Sequence, residues 1–180
     1  MACARLFSIA VFSTRATLDR MANTYSQIYI QVVFAVEGRQ NLIAKQNKEE
    51  LHKYITGIVH QEKQKLIAIN GMPDHVHLLI GLKPDIALSD LVRDVKAKSS
   101  KLVNEHGLVK GKFRWQVGFG AFSYGHSQLD AIVRYIQDQQ QHHAKRTFRH
   151  EYFALLRKFD IAFQDKYVFR FIEDTAPTEL

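Results

Sequence analysis

Two histidines, His75 and His77, flank a single valine in the apolar run His75-Val76-His77-Leu78-Leu79-Ile80. In an extended strand, residues two apart point to the same side. Both imidazoles therefore project together while Val76, Leu78 and Ile80 face the other way. Same-face neighbours stand about 7 Å apart, close enough to converge on one divalent metal. The triplet also suits a pair of hydrogen-bonded strand histidines without a metal, and so short a motif recurs by chance. A second pair, Tyr135 and Gln139, is spaced i, i+4 on a helical stretch and shares a face one turn apart. Taken singly, Tyr135 is a boundary aromatic with a hydrated hydroxyl and Gln139 a surface amide. His142 and His143 follow at once. Adjacent helical residues point about 100° apart, which favours their ending the helix over joining one site.

Basic residues form a third grouping. Between Asp90 and Arg114 lie Arg93, Lys96, Lys98, Lys101, Lys110, Lys112 and Arg114 against Asp90, Asp94 and Glu105, a local balance of +4. Such a stripe can track a nucleic-acid backbone. It can equally be the solvated face of an amphipathic helix.

These side chains need elements to hold them. Ile28, Ile30, Val32, Phe34 and Val36 alternate with other residues from Tyr25 onward, which is the period of a half-buried strand. Lys45 to Lys63 carries Leu51, Tyr54, Ile55, Ile58 and Val59 at helical spacing. Leu66 to Ile69 and His75 to Ile80 then flank Asn70-Gly71-Met72-Pro73-Asp74, whose turn chemistry predicts an antiparallel hairpin. A second helix is expected over Ala87 to Glu105, with Gly107 as its C′ residue. Phe113, Trp115, Val117, Phe119 and Ala121 alternate as a fourth strand, with Gly118 and Gly120 on its other side open to close approach. A third helix is expected from Ser127, as N-cap, to Ala144. Tyr152, Leu155, Leu156 and Phe159 predict a short docking helix in an aromatic-rich tail. The order β-α-β-β-α-β-α implies an α+β fold, helices packed on a mostly antiparallel sheet in ferredoxin- or RRM-like layers.

The chain has 180 residues and a formal net charge of +7, which fits a polyanionic partner without choosing one. One cysteine, Cys3, excludes an intramolecular disulfide and a cysteine-based zinc site. No apolar run approaches the roughly 18 residues of a membrane span, so no membrane partner is expected. Residues 1–20 hold three arginines and a short apolar patch without periodicity. Arg5 followed by the apolar Leu6 to Phe12 gives a signal peptide as one reading, with Ser13-Thr14-Arg15-Ala16 a poor cleavage site. The expected reading is an upstream extension, with one domain over 21–180 including the docking tail.

The order of motifs is itself informative: Asn70-Gly71-x-Pro73-Asp74-His75-Val76-His77-Leu78, then Lys98-Ser99-Ser100 on a basic helix, then Trp115-Gln116-x-Gly118-Phe119-Gly120-Ala121-Phe122-Ser123, then Tyr135-Ile136-x-x-Gln139. From about Asn23 to Tyr167 the chain resembles the single-tyrosine HUH transposases of small bacterial insertion sequences, relatives of the REP-associated tyrosine transposases. Residues 1–20 have no counterpart in that pattern. Tyr124 stands where a small residue is usual and adds a second phenol near the site. The resemblance implies His75, His77 and Gln139 as metal ligands for Mg²⁺ or Mn²⁺, and Tyr135 as nucleophile. It further implies single-stranded DNA with hairpin ends as substrate, a 5′-phosphotyrosine intermediate, a homodimer whose nucleophile helix can reach the partner's histidines, and a cytoplasmic bacterial setting. Arg93, Lys96, Lys98, Lys101, Lys112 and Arg114 are the expected DNA contacts. Two imidazoles also suit zinc. A non-catalytic single-stranded RNA- or DNA-binding module on an RRM-like scaffold remains open, as does a metal-dependent phosphoesterase that uses water.

Overall fold

The computed structural model describes residues 25–164 and Val168. The expected extension over residues 1–20 and the end of the aromatic tail lie outside that range. Strand β1 runs Ile28–Ala35, helix α1 Lys45–Gln61, β2 Lys65–Met72 and β3 His75–Leu82. Helix α2 follows at Leu88–Glu105, then β4 Gly120–Tyr124, α3 Leu129–Gln137, α4 Gln139–His143 and α5 Phe148–Lys158. The four strands form one sheet in the order β2-β3-β1-β4, and every neighbouring pair is antiparallel. The expected α+β layering is present.

Strand alternation splits the sheet into two faces. Val32, Phe34, Val36, Val76, Leu78 and Ile80 face α1 and α2 and pack with Leu51, Ile55, Leu91, Val92 and Val95. The other face carries Val33, Ala35, Leu79, Phe122 and Tyr124, covered by Ile132 and Ile136 of α3 and by Phe148, Tyr152, Leu155 and Leu156 of α5. His75 and His77 share the parity of Leu79, so they belong to this second face. Burial of several large side chains at roughly 1.5–3 kcal/mol each explains why α5 docks although its helix is only 11 residues long.

Several boundaries differ from the expectations. Strand β2 continues through Asn70 and Gly71 to Met72, which pairs with His75, so the turn is Pro73-Asp74 alone. Gly71 is needed within the strand, because a Cβ there would meet the His75 carbonyl oxygen at 2.2 Å. The alternating stretch Phe113 to Ala121 is mostly not a strand. Phe113 and Trp115 turn into the α1/α2 layer and stack edge-on at 4.9 Å, while Val117 is exposed and Gly118 takes φ +83°. The backbone of Trp115 pairs with the sheet as an isolated bridge to Val36, and its ring packs edge-on against Phe34 of β1 at 4.8 Å. The expected third helix divides at Asp138, whose ψ of 20° interrupts the α conformation. Ser127 does not cap it: it lies in a short 3-10 turn, and the Gln128 Oε1 accepts from the Gly125 backbone at 2.9 Å. Gly107 does stand at the C′ position of α2, with φ +59°.

Candidate active site

Adjacent antiparallel strands bring three polar side chains into a row beneath α3 and α5. His75 and His77 on β3 are fully buried, and so is Gln31 on β1. Asp74, in the hairpin turn, accepts a hydrogen bond from His75 Nδ1 at 2.7 Å and is clamped in turn by Arg39, whose Nε approaches Oδ2 at 2.9 Å. Fixing the proton on Nδ1 leaves His75 Nε2 as a lone pair. Burial lowers the pKa of His75 to about 4, although the hydrogen bond to Asp74 opposes it, so the ring is neutral at pH 7. Burial of Asp74 alone would raise its pKa, but His75 and Arg39 overcome this and bring it to about 2.

His77 is held differently. Its Nδ1 lies 2.9 Å from Gln31 Nε2, and Gln31 Oε1 accepts from the Tyr124 hydroxyl at 2.9 Å. The second phenol expected from the sequence is thus anchored through Gln31, and burial pushes its pKa up to about 12. The rings of His75 and His77 are 5.2 Å apart, and Phe148 stacks on His75 at 3.9 Å.

Across from the histidines stands Glu151, on α5 and nearly buried. Its Oε1 accepts from the Tyr135 hydroxyl and from Gln139 Nε2, the latter at 3.1 Å. Its Oε2 accepts from His143 Nε2 at 2.8 Å. His77 Nε2 lies 3.5 Å from Oε1 and His75 Nε2 3.9 Å from Oε2, both too long for hydrogen bonds. Burial of the carboxylate favours its protonated form, but His143, His77 and Tyr135 outweigh that and keep it ionised, well below the usual range. For Tyr135, burial first, then the charge and hydrogen bond of Glu151, push the phenol well above its usual value. The nucleophile candidate is therefore neutral and held by a base.

Four of the sequence-selected residues, His75, His77, Tyr135 and Gln139, are thus brought together. The Tyr135 ring lies 6.1 Å from that of His77 in the same chain, so within one chain the phenol already faces its own histidines rather than reaching outward. Gln139 is fully buried, not a surface amide. Within the site, three buried atoms have no hydrogen-bond partner among the described residues: His75 Nε2, His77 Nε2 and Gln139 Oε1. Buried lone pairs left unsatisfied are costly, and two imidazole nitrogens with an amide oxygen are a donor set suited to a divalent cation.

Three further participants were not expected. His143 binds Glu151 and the His142 ring lies 5.0 Å from that of Tyr135 at a tilt, so both join the site, because the break at Asp138 reorients α4. Glu151 lies in a stretch whose apolar and aromatic spacing dominates its pattern. The signal was present: 148, 151, 152 and 155 share one helical face, so Glu151 is an acid on the inward stripe.

The expected DNA contacts sit elsewhere. Helix α2 covers the opposite face of the sheet from the histidines. Arg93 pairs with Asp90, Lys98 with Glu62, Lys101 with Glu105 and Arg114 with Glu37. Lys96 donates to the Gln116 and Gly118 carbonyls, with its pKa lowered to about 8 by burial, and Lys112 is exposed. On the histidine side, a cavity of about 560 Å³ opens beside Tyr135, lined also by Tyr124, His142, Lys145, Arg146 and Lys158.

Comparison with known proteins bears on the family and the fold. The ISDra2 transposase TnpA of Deinococcus radiodurans is 28% identical over 118 residues, spanning 63% of this chain and 84% of that protein. The fold is similar to a crystal structure of a transposase from Deinococcus radiodurans, with a TM-score of 0.53 and 22% identity over 65% of this chain and 94% of that one. It is also similar to the REP-associated tyrosine transposase solved bound to a REP hairpin, with a TM-score of 0.51 and 16% identity over 67% of this chain and 71% of that one. The family profile described as Transposase IS200 like matches residues 24–139, a stretch that holds the histidine pair, Tyr135 and Gln139. The chain belongs to the IS200-like transposase family.

Proposed function

We propose that this transposase cleaves and rejoins single-stranded DNA at hairpin-bearing ends through a 5′-phosphotyrosine on Tyr135. The observation that carries the reading is the convergence of the Tyr135 hydroxyl with two unpartnered imidazole nitrogens on one buried carboxylate. His75, His77 and Gln139 would hold Mg²⁺ or Mn²⁺, and two nitrogen donors favour Mn²⁺. Such an ion, when bound, polarises a non-bridging phosphate oxygen and offsets the charge that gathers in the transition state.

The chain's own groups perform the rest. Tyr135 Oη attacks phosphorus while its proton passes to Glu151 Oε1, which already accepts it in a hydrogen bond. The bond from phosphorus to the 3′ oxygen breaks, and that oxygen leaves as a hydroxyl after taking up a proton. The phosphodiester energy is kept in the tyrosyl ester, so a 3′ hydroxyl from another end reverses the step without a nucleotide cofactor. Lys145, Arg146 and Lys158, around the cavity beside Tyr135, are suited to the flanking phosphates. The active species is a homodimer, because two ends must be processed and each chain has one phenol, that of Tyr135, hydrogen-bonded to Glu151, the Tyr124 phenol being engaged with Gln31.

A binding module of the RRM type needs an open sheet face with aromatic platforms. Here helices cover both faces, and the second face carries Gln31, His75 and His77. Incubation with single-stranded hairpin DNA and Mn²⁺, followed by a denaturing gel, tests the proposal. Wild-type protein should carry DNA through denaturation, Tyr124→Phe should also do so, and Tyr135→Phe should not. An adduct in Tyr135→Phe would assign the attack to another group. Cleavage without any adduct would point to water.

A further inference from the structure

We propose that Glu151 is itself a ligand of the divalent metal and completes, with His75 and His77, a two-imidazole, one-carboxylate set. The inference rests on the metal-dependent reading above but concerns a residue 12 positions beyond the end of the family match at Gln139.

Distance is the first argument. His77 Nε2 to Oε1 at 3.5 Å and His75 Nε2 to Oε2 at 3.9 Å are too long for hydrogen bonds. Two ligand atoms on one cation, each about 2.1 Å from it and 90–110° apart, are separated by roughly 3.0–3.4 Å. Both pairs are within about half an ångström of that separation. A movement of a few tenths of an ångström by α5 closes the set.

Charge is the second argument. Glu151 is buried, and among the described residues its ionisable neighbours in ion-pair range are all imidazoles: His75, His77 and His143. No lysine or arginine among the described residues pairs with it, whereas Asp74, a few ångströms along the same face, has Arg39. A carboxylate buried among imidazoles, with no cationic side chain beside it among the described residues, is a favourable seat for a cation. A divalent cation held by the His75 Nε2 lone pair, and by His77 Nε2 once Gln31 turns its oxygen to His77 Nδ1, fills that seat.

The remaining contacts place the carboxylate rather than compete for the metal. His143 Nε2 donates to Oε2 at 2.8 Å and Gln139 Nε2 to Oε1 at 3.1 Å, so both orient Glu151 from behind. His143 is accordingly a positioning residue. Gln139 Oε1, still unpartnered, remains available as a further donor.

The test is calorimetric titration of the full chain with Mn²⁺ in the absence of DNA, with bound Mn²⁺ also counted by electron paramagnetic resonance. Glu151→Gln keeps the shape and the acceptor for Tyr135, and its melting temperature and circular dichroism report whether the fold is intact. Glu151→Asp retracts the same charge by one methylene and serves as the second variant. We expect Glu151→Gln to bind Mn²⁺ roughly 10–100-fold more weakly than wild type, and Glu151→Asp to fall between them. Tyr135→Phe should bind as wild type does. Unchanged affinity in Glu151→Gln overturns the assignment while leaving the histidine site standing. Tighter binding in that variant also overturns it, by showing that the carboxylate obstructs the metal. If wild type itself binds no Mn²⁺, the metal-dependent reading of the histidines fails as well.

Discussion

Asp74 and Gln31 treat two neighbouring histidines unequally. A carboxylate can only accept from His75 Nδ1, which fixes that tautomer outright. An amide can offer either its nitrogen or its oxygen to His77 Nδ1, and only the oxygen frees Nε2 to bind a cation. Tyr124 accommodates both orientations, because a hydroxyl both donates and accepts. His52, on α1 and away from the site, shows the cost of burying an imidazole without a partner. Its Nε2 has none, and burial aided by Lys48 lowers its pKa to about 4. His52 and His75 both stay neutral in the folded chain and take up protons on unfolding below about pH 6.5. Stability is therefore full above that pH and falls as the pH drops toward 4, by up to about 2 kcal/mol per group between pH 6.5 and 5. Asp74 and Glu151 titrate below this window. Urea melts at pH 7 and pH 5 should show the loss, and His52→Leu should remove about half of it. An unchanged pH dependence in that variant would mean that His52 is solvated. At this scale the sequence was readable for His75, His77, Tyr135 and Gln139, whose spacing survives as shared faces. Gln31 and Glu151 were not, since a polar residue on an inward position acquires meaning only from what lies across the sheet.

At the scale of elements, glycines set how closely the layers approach. The expectation that something approaches the backbone near Gly120 is met by the protein itself: a Cβ there would lie 2.8 Å from Tyr152 Oη and 2.9 Å from its Cε2. Tyr152 adjoins Glu151 on α5. Gly120→Ala should therefore push α5 outward, destabilise the fold by about 1–3 kcal/mol and weaken Mn²⁺ binding together with it. Gly57, mid-way along α1 with nothing within 4 Å of an added Cβ, is the internal control. Gly57→Ala should stabilise by about 0.5–1 kcal/mol. Thermal melts of the two variants check both signs, and equal melting temperatures would refute the close-approach argument. Elements with one clean period were legible: β1, α1 and α2 fall within a few residues of their expected limits. The stretch 113–121 misled because its alternation comes from two different causes. Phe113 and Trp115 are buried against α2, where Trp115 Nε1 donates to Ser99 Oγ at 2.8 Å, and the sheet begins only after the positive φ of Gly118. The break at Asp138 carried no Gly or Pro to announce it.

For the molecule as a whole, the order β2-β3-β1-β4 leaves two edge strands, β2 and β4. Edges are commonly covered by a second copy, which agrees with the proposed homodimer. Light scattering at micromolar concentration should give twice the chain mass of 20.8 kDa; a monomeric mass with activity retained would remove the dimer. Because Tyr135 faces the histidines of its own chain, a mixture of His75→Ala/His77→Ala with Tyr135→Phe should stay inactive. Restored cleavage would mean that α3 exchanges between copies.

The separation along the chain between the two histidines and Glu151 has a temporal consequence. During synthesis the hairpin bearing His75 and His77 emerges some seventy residues ahead of the carboxylate that faces them. Contacts across so long a loop close late in folding, and here the late contact is also the lid over the second sheet face. On the proposed assignment of Glu151, a nascent chain has its histidines in place before its carboxylate, and its full grip on metal follows only when α5, the last described helix, docks.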